Sequence, residues 1–325
     1  MWAVNAGGSR EIMKNTLTVG LMPVHNIPTL LQIPINEGLL GHRSWRFECA
    51  VTNQSGNHSV TKRPFSMVDL PAERSTTKPR SKGLTMMVDF GIPMGSLEDR
   101  LKLIGPYVDL GKIAVGTSRL YQEDYLRSKL ALYKEFGIRP FLGGQFQEYV
   151  FATQGEKAIP AFLAEAKRVG FDVVEISDNC VPLNPDERKA QIRMALDHGL
   201  AVIGEVGSKT DITVAADLVD QARDCFEAGA ELAIVEGAEL VENGVPKTDL
   251  INELRAGLDM SKVLLELTGT WIKGITLSDV NELLKFFVTE FGPDVNVANV
   301  LPDEILETEA LRVGLGVVGP DARTA

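Results

Sequence analysis

The chain has 325 residues and carries 44 Asp and Glu against 33 Lys and Arg, a net charge of −11. That length supplies an ample core, and that charge excludes a nucleic-acid partner, whose phosphates an acidic surface repels. No apolar stretch reaches the roughly eighteen residues that span a bilayer, so no membrane role is expected. Residues 17–35 come nearest and are broken by prolines and by His25. Cys49, Cys180 and Cys225 form no CxxC pair and no disulfide framework, which predicts a reducing, cytoplasmic setting.

Residues 1–82 are rich in Asn, Ser, Thr, Pro and Gly and show no sustained period. They hold ten Lys and Arg against five Asp and Glu, a local charge of +5, so the remainder carries −16. His25, His42 and His58 lack metal-ligand spacing. We read 1–82 as a flexible extension or as upstream sequence before a start at Met67. A targeting peptide is the lesser reading, because no clear amphipathic helix forms. From 84 onward, apolar runs alternate with helical stretches, the pattern of βαβ units. The strands are expected at 84–90, 110–116, 139–144, 172–178, 201–207, 231–237, 262–269 and 294–300. Helical segments at 158–170, 187–199 and 218–229 each close on Gly, a C-cap signal. Eight such units predict a (β/α)₈ TIM barrel over 83–325. A doubly wound open sheet is the alternative, but no GxGxxG follows the first strand.

Four consecutive strands carry one glutamate each, Glu175, Glu205, Glu236 and Glu266. An ionised carboxylate is costly to bury alone, so four in series predict an acidic ring facing one interior, holding a divalent metal, lysines or both. Lys112, inside the second strand, needs a compensating charge and is a candidate for binding or polarising substrate. Lys209 follows the fifth strand and is a candidate general acid beside Glu205, itself a candidate catalytic residue. Gly116, Thr117 and Ser118 after the second strand, and Gly143 and Gly144 after the third, offer donors to an anion. Asn299 and Arg312 follow the eighth strand, where barrels often bind phosphate.

The strings KIAVGTS, FLGGQFQEYV, GFDVVEISD, EVGSK, EAGAELAIVEG, FGPDVNVANV and LETEALRVGL resemble the phosphosulfolactate synthase family, in order, over 84–316. The resemblance implies a barrel lyase that uses Mg²⁺ to add sulfite to phosphoenolpyruvate, on the route to coenzyme M. It carries the family's acids onto Glu175, Asp178, Glu205 and Glu236, and its lysines onto Lys112 and Lys209. It implies Mg²⁺ on Glu175, Glu205 and Glu236, and a substrate contact at Asp89. Sulfite is expected at C2 and the proton at C3. The chain departs from the family at Phe90, where a lysine is expected, at Val115 for an aromatic residue, and at Val313 and Gly316 for arginines. Its seventh-strand loop, LTGTWIKG, differs too. Each lost cation weakens phosphate binding by about 1–3 kcal/mol; Arg119 and Lys273 are the candidates to compensate. An enzyme adding another nucleophile to a related enol acid is one alternative. A non-catalytic, stress-associated barrel of the same family is another, disfavoured by Lys112, Glu205 and Lys209, because a scaffold has no use for costly buried charge. A homo-oligomer is admitted but not required.

Overall fold

The computed structural model describes residues 63–208, 214–242, 245–270 and 272–316. The chain divides into Met1–Thr61 and Lys62–Ala325. The first unit lies outside the described residues; of the extension expected over 1–82, only 63–82 are described. The second closes as a barrel of eight parallel strands: β1 (Thr85–Asp89), β2 (Leu110–Ile113), β3 (Arg139–Leu142), β4 (Val173–Ile176), β5 (Ala201–Val206), β6 (Leu232–Val235), β7 (Val263–Glu266) and β8 (Val297–Val300). Consecutive strands pair, and β1 pairs with β8, which rules out the open sheet. A two-stranded antiparallel ribbon, Val241–Glu242 with Val245–Pro246, interrupts the connection from β6 to β7.

The strands are apolar on both sides because each side is covered. One residue per strand, Met86, Leu110, Phe141, Val173, Ile203, Ile234, Leu264 and Ala298, forms a buried layer inside the barrel. Their sequence neighbours, such as Met87, Val174, Val202 and Val235, pack outward against the helices. The helix Ile159–Val169 buries Ile159, Leu163, Ala166 and Val169, the spacing of one face, and ends on left-handed Gly170. Ala215–Ala228 likewise ends on left-handed Gly229. Pro185–Asp197 opens with a capping box, Asn184 with Glu187, and ends two residues before Gly199. Among the described residues, no helix is long and apolar enough to cross a membrane.

Residues 63–83 lie against the barrel end from which the strands start. The Arg74 side chain, 2% exposed, contacts Glu309 at 2.9 Å and donates to the Pro293 carbonyl at 2.8 Å. Arg80 meets Asp109 at 2.5 Å and the Tyr107 carbonyl at 2.7 Å. Removing one partner of a buried ion pair costs about 3–5 kcal/mol. A chain beginning at Met67 keeps both arginines and is expected to unfold at the full chain's midpoint. One beginning at Leu84 leaves Glu309 and Asp109 unmatched and should melt roughly ten degrees lower or more. Equal midpoints for all three chains in calorimetry would deny the segment a structural part.

Candidate active site

Side chains alternate across a strand, so residues two positions beyond the apolar layer point into the barrel one level nearer its C-terminal mouth. That level contains Val88, Lys112, Gly143, Glu175, Glu205, Glu236 and Glu266, and Asn299 completes the wall on β8. Glu175, Glu205, Glu236 and Glu266 are 1%, 1%, 0% and 3% exposed. The acidic ring is therefore real, and it divides.

Glu175 belongs to Lys112. The Lys112 ammonium lies 2.8 Å from Glu175 Oε2, and Gly144 N–H donates to Oε1 at 2.8 Å. Gly144 opens the helix Gly144–Gln154, so the positive end of that dipole also faces Glu175. Any other residue at 144 would put its Cβ 2.4 Å from Ser177 Oγ and 2.9 Å from Glu175 Oε1. Burial lowers the Lys112 pKa, but Glu175, Glu205 and Glu266 outweigh it and hold the ammonium well above its ordinary range. Burial and Glu205 push Glu175 up to about 8, with Lys112 opposing.

Glu205, Glu236 and Glu266 form the other part. One oxygen from each lies within 4.8 Å of the others. Carboxylates this close repel by roughly 3–4 kcal/mol per pair at an effective dielectric near 20. Three hard oxygen donors converging in a buried wall fit Mg²⁺ by donor chemistry. Glu236 also accepts from Asn179 Nδ2 at 2.9 Å. Asn179 sits in the loop after β4, which Glu148 pins by accepting from Ser177 Oγ at 2.5 Å and from the Cys180 and Val181 N–H groups at 2.7 Å each.

Several residues expected at this site are elsewhere. Asp89 ends β1 pointing out of the barrel, because Val88 takes the inward position. Its oxygens are engaged by the Gly91 and Ile92 N–H groups, the Tyr133 hydroxyl and the Lys129 ammonium. Arg312 is at the opposite end of the barrel. It is 1% exposed and donates to the carbonyls of Pro293 at 2.8 Å and Val295 at 2.5 Å, both ahead of β8. It closes the N-terminal face and cannot reach a substrate at the mouth, so arginines at 313 and 316 would not either. Asp178 pairs with Arg188. Gly116, Thr117 and Ser118 turn beside the pocket, with Thr117 Oγ1 donating to the Ala114 carbonyl at 2.7 Å. Gly143 and Asn299 line the pocket. Lys209 lies outside the described residues.

Among the described residues, apolar side chains form much of the mouth above the acids, with Gln145 beside them. Phe90, Ala114, Val115 and Ile272 line it together with Val88. Val115 has φ +48° and Asn299 φ +60°, conformations that cost a non-glycine residue, most of all a β-branched one. Both strained residues border the pocket, as functional walls often do.

The sequence profile described as (2R)-phospho-3-sulfolactate synthase (ComA) matches residues 73–317. A phosphosulfolactate synthase of Methanocaldococcus jannaschii is 32% identical over 246 residues, 72% of this chain and 92% of that protein. One of Methanothermobacter thermautotrophicus is 30% identical over 249 residues, 73% of this chain and 91% of that one. Protein HEAT-STRESS-ASSOCIATED 32 of Arabidopsis thaliana is 22% identical over 263 residues, 72% of this chain and 87% of that protein.

Proposed function

The chain belongs to the phosphosulfolactate synthase family of lyases, and on that premise we propose that it adds sulfite to phosphoenolpyruvate, using Mg²⁺ held by Glu205, Glu236 and Glu266. The observation that carries this reading is the convergence of those three buried carboxylates beside the Lys112–Glu175 pair at the barrel mouth. This metal set moves the expected one by a strand, since Glu175 serves Lys112 and Glu266 takes its place.

The family description names a 3-sulfolactate, and on that support we place the addition at C3 rather than at C2 as expected above. The sulfite lone pair forms the C3–S bond. The π pair of C2=C3 moves to C2 and is shared with the carboxylate, the phosphate stays on its oxygen, and C2 then takes a proton. Lys112, whose ammonium Glu175, Glu205 and Glu266 hold above its ordinary range, is suited to bind the carboxylate on which that charge develops. Bound Mg²⁺ supplies Lewis-acid stabilisation to the same developing charge. We assign the C2 proton to Lys209 from its place in the sequence, next to Ser208, whose N–H donates to Glu239 Oε1 at 2.9 Å. The apolar mouth at Phe90 supports weak phosphate binding and hence a high KM. Free thiols at Cys180 and Cys225 fit a cytoplasmic setting.

The test is the full chain with phosphoenolpyruvate, sulfite and Mg²⁺ in D₂O, followed by ³¹P and ¹H NMR. The expected product keeps its phosphorus and gains deuterium at C2, and EDTA stops its formation. Lys209→Ala should cut kcat by roughly 100-fold with a smaller change in KM. Absence of product at saturating substrates would discard sulfite and phosphoenolpyruvate as the pair and leave another nucleophile or another enol acid.

A further inference from the structure

Lys129 and Asp89 are both 0% exposed, and their charged atoms are 2.6 Å apart. The acid–metal chemistry above uses neither of them. A buried ion pair is weak evidence for stability, because well-packed apolar residues often do as well. What it supplies is a fixed geometry, and here the geometry is of the first loop at the catalytic mouth.

Tyr121, Tyr125, Lys129 and Tyr133 follow one another at four-residue spacing along the helix Glu123–Glu135 and the turn before it. That spacing puts them on one face. All four engage residues 89–94 or the ammonium that does. Tyr133 Oη donates to Asp89 Oδ2 at 2.7 Å. Lys129 Nζ donates to the Ile92 carbonyl at 2.6 Å. The Met94 N–H donates to Tyr125 Oη at 2.7 Å. Tyr121 stacks on Tyr125, with centroids 5.8 Å apart, and accepts from Lys129 Nζ at 3.3 Å. Burial and the nearby Asp89 push the Tyr121 hydroxyl up to about 12 and hold the Tyr133 hydroxyl well above its ordinary range, so both remain protonated.

Asp89 passes this hold on to the backbone. Its Oδ1 accepts from the Gly91 and Ile92 N–H groups at 2.8 Å each, and Gly91 has φ +131°, a conformation that favours glycine. Between them stands Phe90, 48% exposed, lining the same pocket as Lys112, Glu236 and Glu266. We infer that Tyr121, Tyr125, Lys129 and Tyr133 are positioning residues that clasp the β1 loop through Asp89, so that Phe90 stands as a fixed wall of the substrate pocket. The inference rests on the site proposed above.

The test compares the full chain with Lys129→Met and Tyr133→Phe, by amide hydrogen exchange and by steady-state kinetics with phosphoenolpyruvate and sulfite. Both variants are expected to exchange the Gly91 and Ile92 amides about tenfold faster or more, while amides of the inner barrel layer keep their wild-type rates. KM should rise about five- to tenfold with kcat within about twofold, because a fixed wall sets the shape of the pocket and touches no reacting atom. A role confined to folding would lower the melting midpoint and leave KM alone. Should Lys129→Met fail to fold, Tyr133→Phe, which removes one donor, decides by itself. Unchanged exchange at Gly91 and Ile92, or faster exchange with an unaltered KM, overturns the clasp. If the wild type shows no turnover of these substrates, the proposed reaction has failed, and the exchange rates alone judge the clasp.

Discussion

Glu266→Gln is expected to lower activity by more than about 100-fold while raising the melting temperature of the metal-free protein. The activity loss follows from removing one of three converging donors; even residues that only orient metal ligands typically cost 10–100-fold. The stability gain follows from electrostatics. Glu266 is 3% exposed and has an oxygen within 4.8 Å of oxygens on Glu205 and Glu236, and the amide removes that repulsion while keeping the shape. Some attraction to Lys112 is lost, but Glu175 at 2.8 Å remains as its near partner. Relief of the repulsion with Glu205 and Glu236, set against the lost attraction to Lys112, predicts a net gain of about a kcal/mol or more. Opposite movements of activity and stability are the mark of a site held together at a cost. Activity and melting temperature falling together would instead make Glu266 a structural partner.

Lys112→Met should lower both. The variant takes from Glu175 the ammonium 2.8 Å away and leaves it beside Glu205, a loss of about 3–5 kcal/mol for breaking a buried pair. Kinetically, KM should rise and kcat fall together, by roughly 100-fold in kcat/KM, because an ammonium that binds the carboxylate also stabilises the charge developing there. The double variant Lys112→Met/Glu175→Gln separates these effects. It removes both partners of the pair, so stability should recover while activity stays lost. Recovery of activity in the double variant would show that Lys112 only neutralises Glu175.

The barrel was legible because alternation of apolar strands with amphipathic helices is a repeated signal, and eight repeats leave little choice of closure. The acidic ring was legible for the same reason: a period of two places Glu175, Glu205, Glu236 and Glu266 on the face that holds Val173, Ile203, Ile234 and Leu264. How the ring divides was not legible, because it depends on the neighbouring strand. Lys112 on β2 reaches past β3 to Glu175 on β4, and the N–H of Gly144 arrives from a helix start. Asp89 was misplaced by one step of alternation, since Val88 takes the inward position and sends the carboxylate to Lys129. Arg312 was misplaced by a whole helix. Ile305–Arg312 runs back from the mouth, so its last residue ends up under β1 and β8. Phe90 could have been found from sequence: it occupies the place of an expected lysine, directly after a strand, at the end where barrel sites lie.

The most direct measurement of the central claim is calorimetric titration of Mg²⁺ into the wild type and into Glu175→Gln, Glu205→Gln, Glu236→Gln and Glu266→Gln. One Mg²⁺ per chain is expected in the wild type. Its affinity should fall about tenfold or more in the last three variants and change by less than about threefold in Glu175→Gln. Wild-type affinity in all of Glu205→Gln, Glu236→Gln and Glu266→Gln, or loss of binding in Glu175→Gln alone, would contradict the metal site.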